Sequence, residues 1–154
     1  VNSLPAKIWK LLQLPKLVQL LIMRFLQDQF LIGVTGIFFD NTQRVLLLKH
    51  TYRQTSWSLP GGYLKAKEHP AEGLEREIME ESGLVVSADR QLKTRTDRQT
   101  ARLDLCYVGA FIGGEFKSSS EVSEYTLVAF DDLPMIPKNQ LLLIQMALDK
   151  KNSF

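Results

Sequence analysis

The sequence predicts a mixed α/β (α+β) fold, and three observations predict it. Several short apolar runs are separated by turn residues such as Asp40-Asn41 and Gly113-Gly114. Two later segments, opening at Pro70 and Pro137, carry apolar residues at helical spacing. A further helical stretch, apolar around most of its circumference, precedes them all. Strands mixed with two main helices imply a sheet covered by helices. We assign residues 1–28 to an N-terminal helical extension and 29–154 to the folded domain.

Residues 5–13 and 15–27 read as helices, with Pro5 and Pro15 in first turns, where no amide hydrogen is needed. Leu14, Leu17, Val18, Leu21 and Phe25 fall at helical spacing, and Leu20, Ile22, Met23 and Leu26 widen the apolar surface. Before Asp28 the only charges are basic: Lys7, Lys10, Lys16 and Arg24. Such a helix calls for burial on its own domain, on a second copy in a homo-oligomer, or on a dedicated partner. A basic amphipathic helix lying on a membrane surface is the sharper alternative. The interrupting polar residues leave no run apolar enough to span a bilayer, and no clean signal-peptide core or cleavage site.

In the domain, 30–39 reads as a strand and 44–50 as its hairpin partner across the Asp40–Gln43 turn. A loop over 51–56 leads to a short strand at 57–59 and a Pro60-Gly61-Gly62 turn. The helix beginning near Pro70 ends at Ser82-Gly83. Strands follow over 85–96, 101–112 and 125–130, and a closing helix over 137–150 has Leu141, Ile144 and Leu148 at core spacing.

The 154 residues suffice for one domain with a sizeable core. A 45% hydrophobic and 23% charged composition is that of an ordinary globular protein. A net charge of +2 without a basic stripe gives no support for nucleic-acid binding. The single cysteine, Cys106, excludes an internal disulfide and fits a reducing, cytoplasmic setting; its apolar strand makes it a small core residue rather than a reactive thiol.

Glu77, Glu80 and Glu81 carry the chemistry. At i, i+3 and i+4 they share one helix face with Gly73, beside a packing stripe of Ala71, Leu74 and Ile78. Like charges at that spacing repel by roughly 0.2–0.5 kcal/mol per pair. They also sit near the helix C-terminus, where the macrodipole disfavours anions. A cation would relieve both costs, and carboxylate oxygens suit Mg²⁺ or Mn²⁺. Gly73 would let a phosphate or loop approach closely.

From Gly62 the sequence runs on through Glu68, Arg76-Glu77-Ile78 and Glu80-Glu81-Ser82-Gly83-Leu84. This is similar at every specified position to the signature of the Nudix hydrolases. The resemblance implies a mixed sheet sandwiched between helices over about residues 30–150, with residues 1–27 outside it. It also implies metal-dependent hydrolysis of a nucleoside diphosphate linked to another group X, with Mg²⁺ or Mn²⁺ as cofactor. Nucleoside triphosphates are a second substrate class, and a nucleotide-sensing domain without turnover is the alternative.

By the same resemblance, Glu80 and Glu81 are the principal metal ligands and Glu77 is a further ligand or the base. The Gly61 carbonyl joins the metal shell. Arg76 pairs with Glu80 or reaches back to Glu68, with phosphate contact as its other reading. An additional carboxylate comes from a later loop: Glu121 first, Glu124 second, surface acids otherwise. Arg53, Arg95, Arg98 and Arg102 are candidates to hold substrate phosphates, against a reading as solvated charges. Trp57 either stacks on a base or packs in the core. His50 and His69 have no Cys or His at zinc-ligand spacing. Neither the ADP-ribose nor the dinucleoside-polyphosphate marker of the family stands at Arg98-Gln99-Thr100-Ala101, so the sequence leaves the substrate open.

Overall fold

In the computed structural model the described residues are 14–51 and 57–151. The helix expected over 5–13, and Arg53, lie outside them. Contacts divide the chain into two units, with the boundary between Phe30 and Leu31.

In the first unit, α1 (Lys16–Leu26) starts after Pro15 and ends with the Gln27 amide bonded to the Met23 carbonyl. Its first turn holds no acid and its last turn carries Arg24, which suits the negative end of the macrodipole. None of its residues is fully buried.

The described residues of the second unit form seven strands: β1 (Leu31–Phe39), β2 (Val45–His50), β3 (Trp57–Ser58), β4 (Gly61–Tyr63), β5 (Leu84–Asp97), β6 (Arg102–Gly114) and β7 (Val122–Val128). Its helices are α2 (Pro70–Ser82), a 3-10 turn (Phe130–Asp132) and α3 (Lys138–Lys151). The main strand order is β3-β2-β1-β6-β5, with β4 paired to β1 and β7 to β2. The pairings make the sheet mixed: β1 runs parallel to β6 and antiparallel to β2 and β4.

Strand pairing differs from the sequence reading in two places. The expected 30–39/44–50 hairpin is brief, joined by Phe39 opposite Val45, because β1 spends its length on β6 and β4. Asp40 still closes its turn by accepting the Thr42 and Arg44 amides, each at 2.9 Å. And Gly61-Gly62 is strand rather than turn: Thr35, Val34 and Gly33 face Gly61, Gly62 and Tyr63. A Cβ on Gly61 would collide with the Val34 carbonyl, so glycine is what permits this close pairing.

Strand alternation sends side chains to two cores. Odd-numbered Ile37, Phe39, Val45 and Leu47 pack with Leu143, Ile144 and Ala147 of α3. Even-numbered Val34, Phe38, Leu46 and Leu48 pack with Leu74 and Ile78 of α2. The sheet is therefore covered by α2 on one face and α3 on the other. Burying Leu74 and Ile78 stabilises the domain by about 1.5–3 kcal/mol each and anchors α2. On α3 the buried residues are Leu143, Ile144 and Ala147; Leu141, expected in the core, is exposed.

Candidate active site

The site begins with how α2 is held. His69 caps its N-terminus, its ring nitrogen accepting the Ala71 amide, and Pro70 follows in the first turn. Gly83 stops the helix in the left-handed conformation (φ 71°), and a Cβ there would strike the Glu115 carbonyl. Between these ends, Arg76 organises the acids. Its guanidinium donates to Glu68 through Nε (2.5 Å) and Nη2 (3.0 Å), and Nη1 lies 2.7 Å from Glu77 Oε1 and 2.9 Å from Glu80 Oε2. Arg76 thus makes both of the contacts weighed for it, to Glu68 and to Glu80. The Arg76 hydrogen bonds, joined by the Lys65 amide, hold the Glu68 carboxyl down at about 2. Burial works to raise Glu80, but the bonds from Arg76 outweigh it and lower its pKa.

Glu77 is positioned from a second side. Gly62 faces α2, and a Cβ on it would lie 2.7 Å from Glu77 Cγ and 2.8 Å from Oε2. The glutamate therefore rests directly on the glycine backbone. Gly73 plays a different part from the one expected. It is buried, and the space a side chain would need is filled by Leu64 and the Glu68 carboxylate, so no phosphate approaches there.

One cleft of about 920 Å³ collects most of the candidates. Gly61, Glu77, Glu81, Arg95, Arg102 and Glu121 all line it. Glu80 is not among the lining residues; its carboxylate pairs with Arg76 and, at 3.4 Å, with Lys65. Glu124 pairs with Lys49 at 2.7 Å, so of the two later acids it is Glu121 that reaches the cleft. Arg98 is exposed in the β5–β6 turn, away from the lining. Trp57 packs against the α3-side core.

The cleft floor is a row of residues across four strands. Tyr63 faces Gly33, Gly33 faces Asp104, and Asp104 faces Arg95. Paired residues share a sheet face, here the face on which α3 packs. Asp104 is buried and accepts from Thr35 Oγ1 (3.1 Å), from Arg102 Nη2 (3.1 Å) and, in a very short contact, from Arg95. Burial opposes its ionisation, but the two guanidiniums prevail and its pKa is lowered. Burial pushes the neighbouring Cys106 thiol up to about 11, which fits a core residue. Asn139 and Gln140 from the start of α3 close the far side; the Gln140 side-chain oxygen accepts the Leu59 amide at 2.8 Å.

Thr35, Tyr63, Asp97, Asp104, Asn139 and Gln140 were not found from sequence. One of them left a signal: Asp104 is an acid inside the apolar run Leu103–Ala110, a costly position unless paired. Among the described residues no three His, Cys, Asp or Glu side chains converge closely enough to hold a metal ion as they stand. The donors themselves are carboxylate oxygens and a strand-edge carbonyl, a set that fits a hard divalent cation. Among the described residues no helix is long and apolar enough to cross a membrane.

Comparison with known proteins agrees with this layout. The NUDIX domain model matches residues 29–148. Over 127 residues the chain is 25% identical to an ADP-ribose pyrophosphatase of Methanocaldococcus jannaschii, spanning 79% of this chain and 75% of that protein. Over 102 residues it is 28% identical to a MutT-like protein of Streptomyces ambofaciens, spanning 66% of each. The crystal structure of a UDP-X diphosphatase shares the fold with a TM-score of 0.69 at 20% identity, over 90% of this chain and 73% of that one. With a family model covering most of its length, a sheet between helices and the motif on α2, the chain belongs to the Nudix hydrolase family.

Proposed function

We propose that this chain hydrolyses the diphosphate linkage of a nucleoside diphosphate joined to another group X, using Mg²⁺ or Mn²⁺. The observation that carries this reading is that Glu77 and Glu81 open into the same cleft as Gly61, Glu121 and two arginines. ADP-ribose and UDP-X, the compounds named for two of the similar proteins, are both of this class.

Glu77, Glu80 and Glu81, with Glu121 and the Gly61 carbonyl, would hold the metal. When bound it neutralises charge on the diphosphate and acidifies a bound water. Glu77 is the residue best placed to orient that water. Arg76 holds its Oε1 and the Gly62 backbone supports its Oε2, so little of its motion remains to be frozen at reaction. Water oxygen attacks one phosphorus, its proton passes to a carboxylate of this set, and the bridging P–O bond breaks. Two phosphorylated products result. Arg76, tied down by Glu68, acts through Glu77 rather than on the substrate.

A panel of nucleotide sugars, ADP-ribose-like compounds and nucleoside triphosphates, with Mg²⁺ or Mn²⁺, tests the reading. Cleavage of a diphosphate compound that is lost in Glu81→Gln supports it. No cleavage by the wild type, or equal cleavage by the variant, contradicts it and favours a nucleotide-sensing domain.

The N-terminal segment enters as an assembly element. Removing residues 1–28 should lower the number of copies per particle found by light scattering, and an unchanged oligomeric state counts against that role. Binding to anionic vesicles that is lost on the same truncation would point to the membrane surface instead.

A further inference from the structure

We infer that Tyr63, braced by Arg102, forms the ledge on which the substrate's nucleobase stacks, with Asp104 as the positioning residue that holds Arg102 against the ring. The inference rests on the hydrolase reading of the same cleft and assigns its base-binding end.

The ledge exists because residue 33 is glycine. Gly33 stands between Tyr63 and Asp104 in the cross-strand row. A Cβ there would lie 2.5–2.8 Å from the Arg102 guanidinium, so the arginine lies directly over the backbone at that point. From there its Cζ sits 4.9 Å from the Tyr63 ring centroid, and Nη1 is 3.4 Å from the Tyr63 hydroxyl. The opposite side of the guanidinium is tied to Asp104 at 3.1 Å. The guanidinium is thereby held over the Tyr63 ring on the cleft floor, and half of the Tyr63 surface stays open at 51% exposure. Aromatic rings and guanidinium planes are the surfaces on which bases stack, whatever the base.

The charge balance argues against the simpler reading of these arginines as a phosphate clamp. Arg95 and Arg102 face Asp97 and Asp104 in the same part of the cleft, two cations against two anions. Asp104 already engages both guanidiniums, and Arg102 also acts on Asp97. No surplus positive charge is left for a diphosphate, whereas a neutral planar ring needs none. Direction along the cleft follows. Tyr63 and Leu59 are four residues apart in sequence and both line the cleft. The base at Tyr63 leaves X towards Leu59, Asn139 and Gln140, with the carboxylates of α2 beside the linkage.

The test uses the full chain, and its binding arm needs no turnover. AMP and UMP, a purine and a pyrimidine product, are titrated calorimetrically into wild type, Tyr63→Ala and Tyr63→Phe, and KM and kcat are measured on the best-cleaved compound of the panel. Tyr63 is half exposed, and matched thermal melting verifies the fold of each variant. Expected are Kd and KM raised about tenfold in Tyr63→Ala for both bases, kcat within twofold, and near-complete rescue in Tyr63→Phe. Tyr63→Ala should not weaken calorimetric binding of ribose 5-phosphate, which has no base. Unaltered nucleotide binding by Tyr63→Ala, or an equal loss on the base-free compound, overturns the ledge while leaving the hydrolase reading intact. A wild type that binds nucleotides through Tyr63 but cleaves nothing upholds the ledge and defeats the hydrolase reading.

Discussion

The two sides of the cleft are built by different rules. The carboxylate wall is local: Glu68, Arg76, Glu77, Glu80 and Glu81 fall within a few turns of chain, on one loop and one helix. The floor is assembled: Tyr63, Gly33, Asp104 and Arg95 come from four strands that meet only through sheet register. The two differ in charge as well. The floor's arginines are matched by Asp97 and Asp104, while Glu77 and Glu80 share one guanidinium that is already committed to Glu68, and Glu80 also meets Lys65. A wall left acidic suits cations, and a floor left neutral suits an organic ring. Changes in the wall should therefore damage turnover, and changes in the floor should damage stability and affinity.

The largest expected effect is in the wall. Glu81→Gln should lower kcat by about a thousandfold, the several kcal/mol a metal supplies to charge in the transition state. Its urea unfolding curve should match the wild type; a destabilised protein with normal kcat would reverse the comparison.

Gly62→Ala comes next. The new methyl would sit 2.7 Å from Glu77 Cγ and push the carboxylate off its support. Overpacking of this kind costs about 1–3 kcal/mol, and misplacing a reacting group by about 1 Å costs on the order of a hundredfold in rate. Steady-state kinetics and thermal melting on one preparation separate the two.

On the floor, Asp104→Asn removes the anion that Arg95 and Arg102 share. Both guanidiniums are partly exposed and can turn towards water, so the cost is about 2 kcal/mol rather than that of a fully buried pair. Urea unfolding measures it. Here KM should rise more than kcat falls, the opposite of the pattern for Glu81→Gln.

The smallest effect is a pH dependence. Glu68 has its carboxyl lowered from 4.5 to about 2 in the folded chain. Its contribution is fully present above about 4.5 and is lost as pH falls towards 2, because the unfolded chain takes up the proton first. Glu68→Gln should flatten the fall in melting temperature over that window. An unchanged slope would mean that the Arg76 pair adds nothing to the wall's stability.

Legibility in the sequence follows the same division. The α2 wall could be read because helix geometry converts spacing into a shared face, and Leu74 and Ile78 anchor it as their spacing implied. Even there the wheel does not fix rotamers, and Arg76 and Lys65 draw Glu80 away from the cleft lining. Gly73 looked open on the wheel because Leu64 and Glu68, which fill its space, come from the preceding loop. Leu141 was misplaced because Leu141-Leu142-Leu143-Ile144 is apolar at consecutive positions, and such a run does not choose a face. Strand β4 read as a turn because its glycines become strand only beside β1. The floor was the least legible part: register between distant strands decides which residues meet, and no local pattern encodes that Arg95 and Arg102 share Asp104.

The central claim is that the acids of α2 grip divalent cations in this cleft. Calorimetric titration of Mn²⁺ into the wild type and the Glu77→Gln/Glu81→Gln double variant, both folded and without nucleotide, tests it most directly. The account predicts binding to the wild type and at least tenfold weaker binding to the variant. Equal affinities would contradict it.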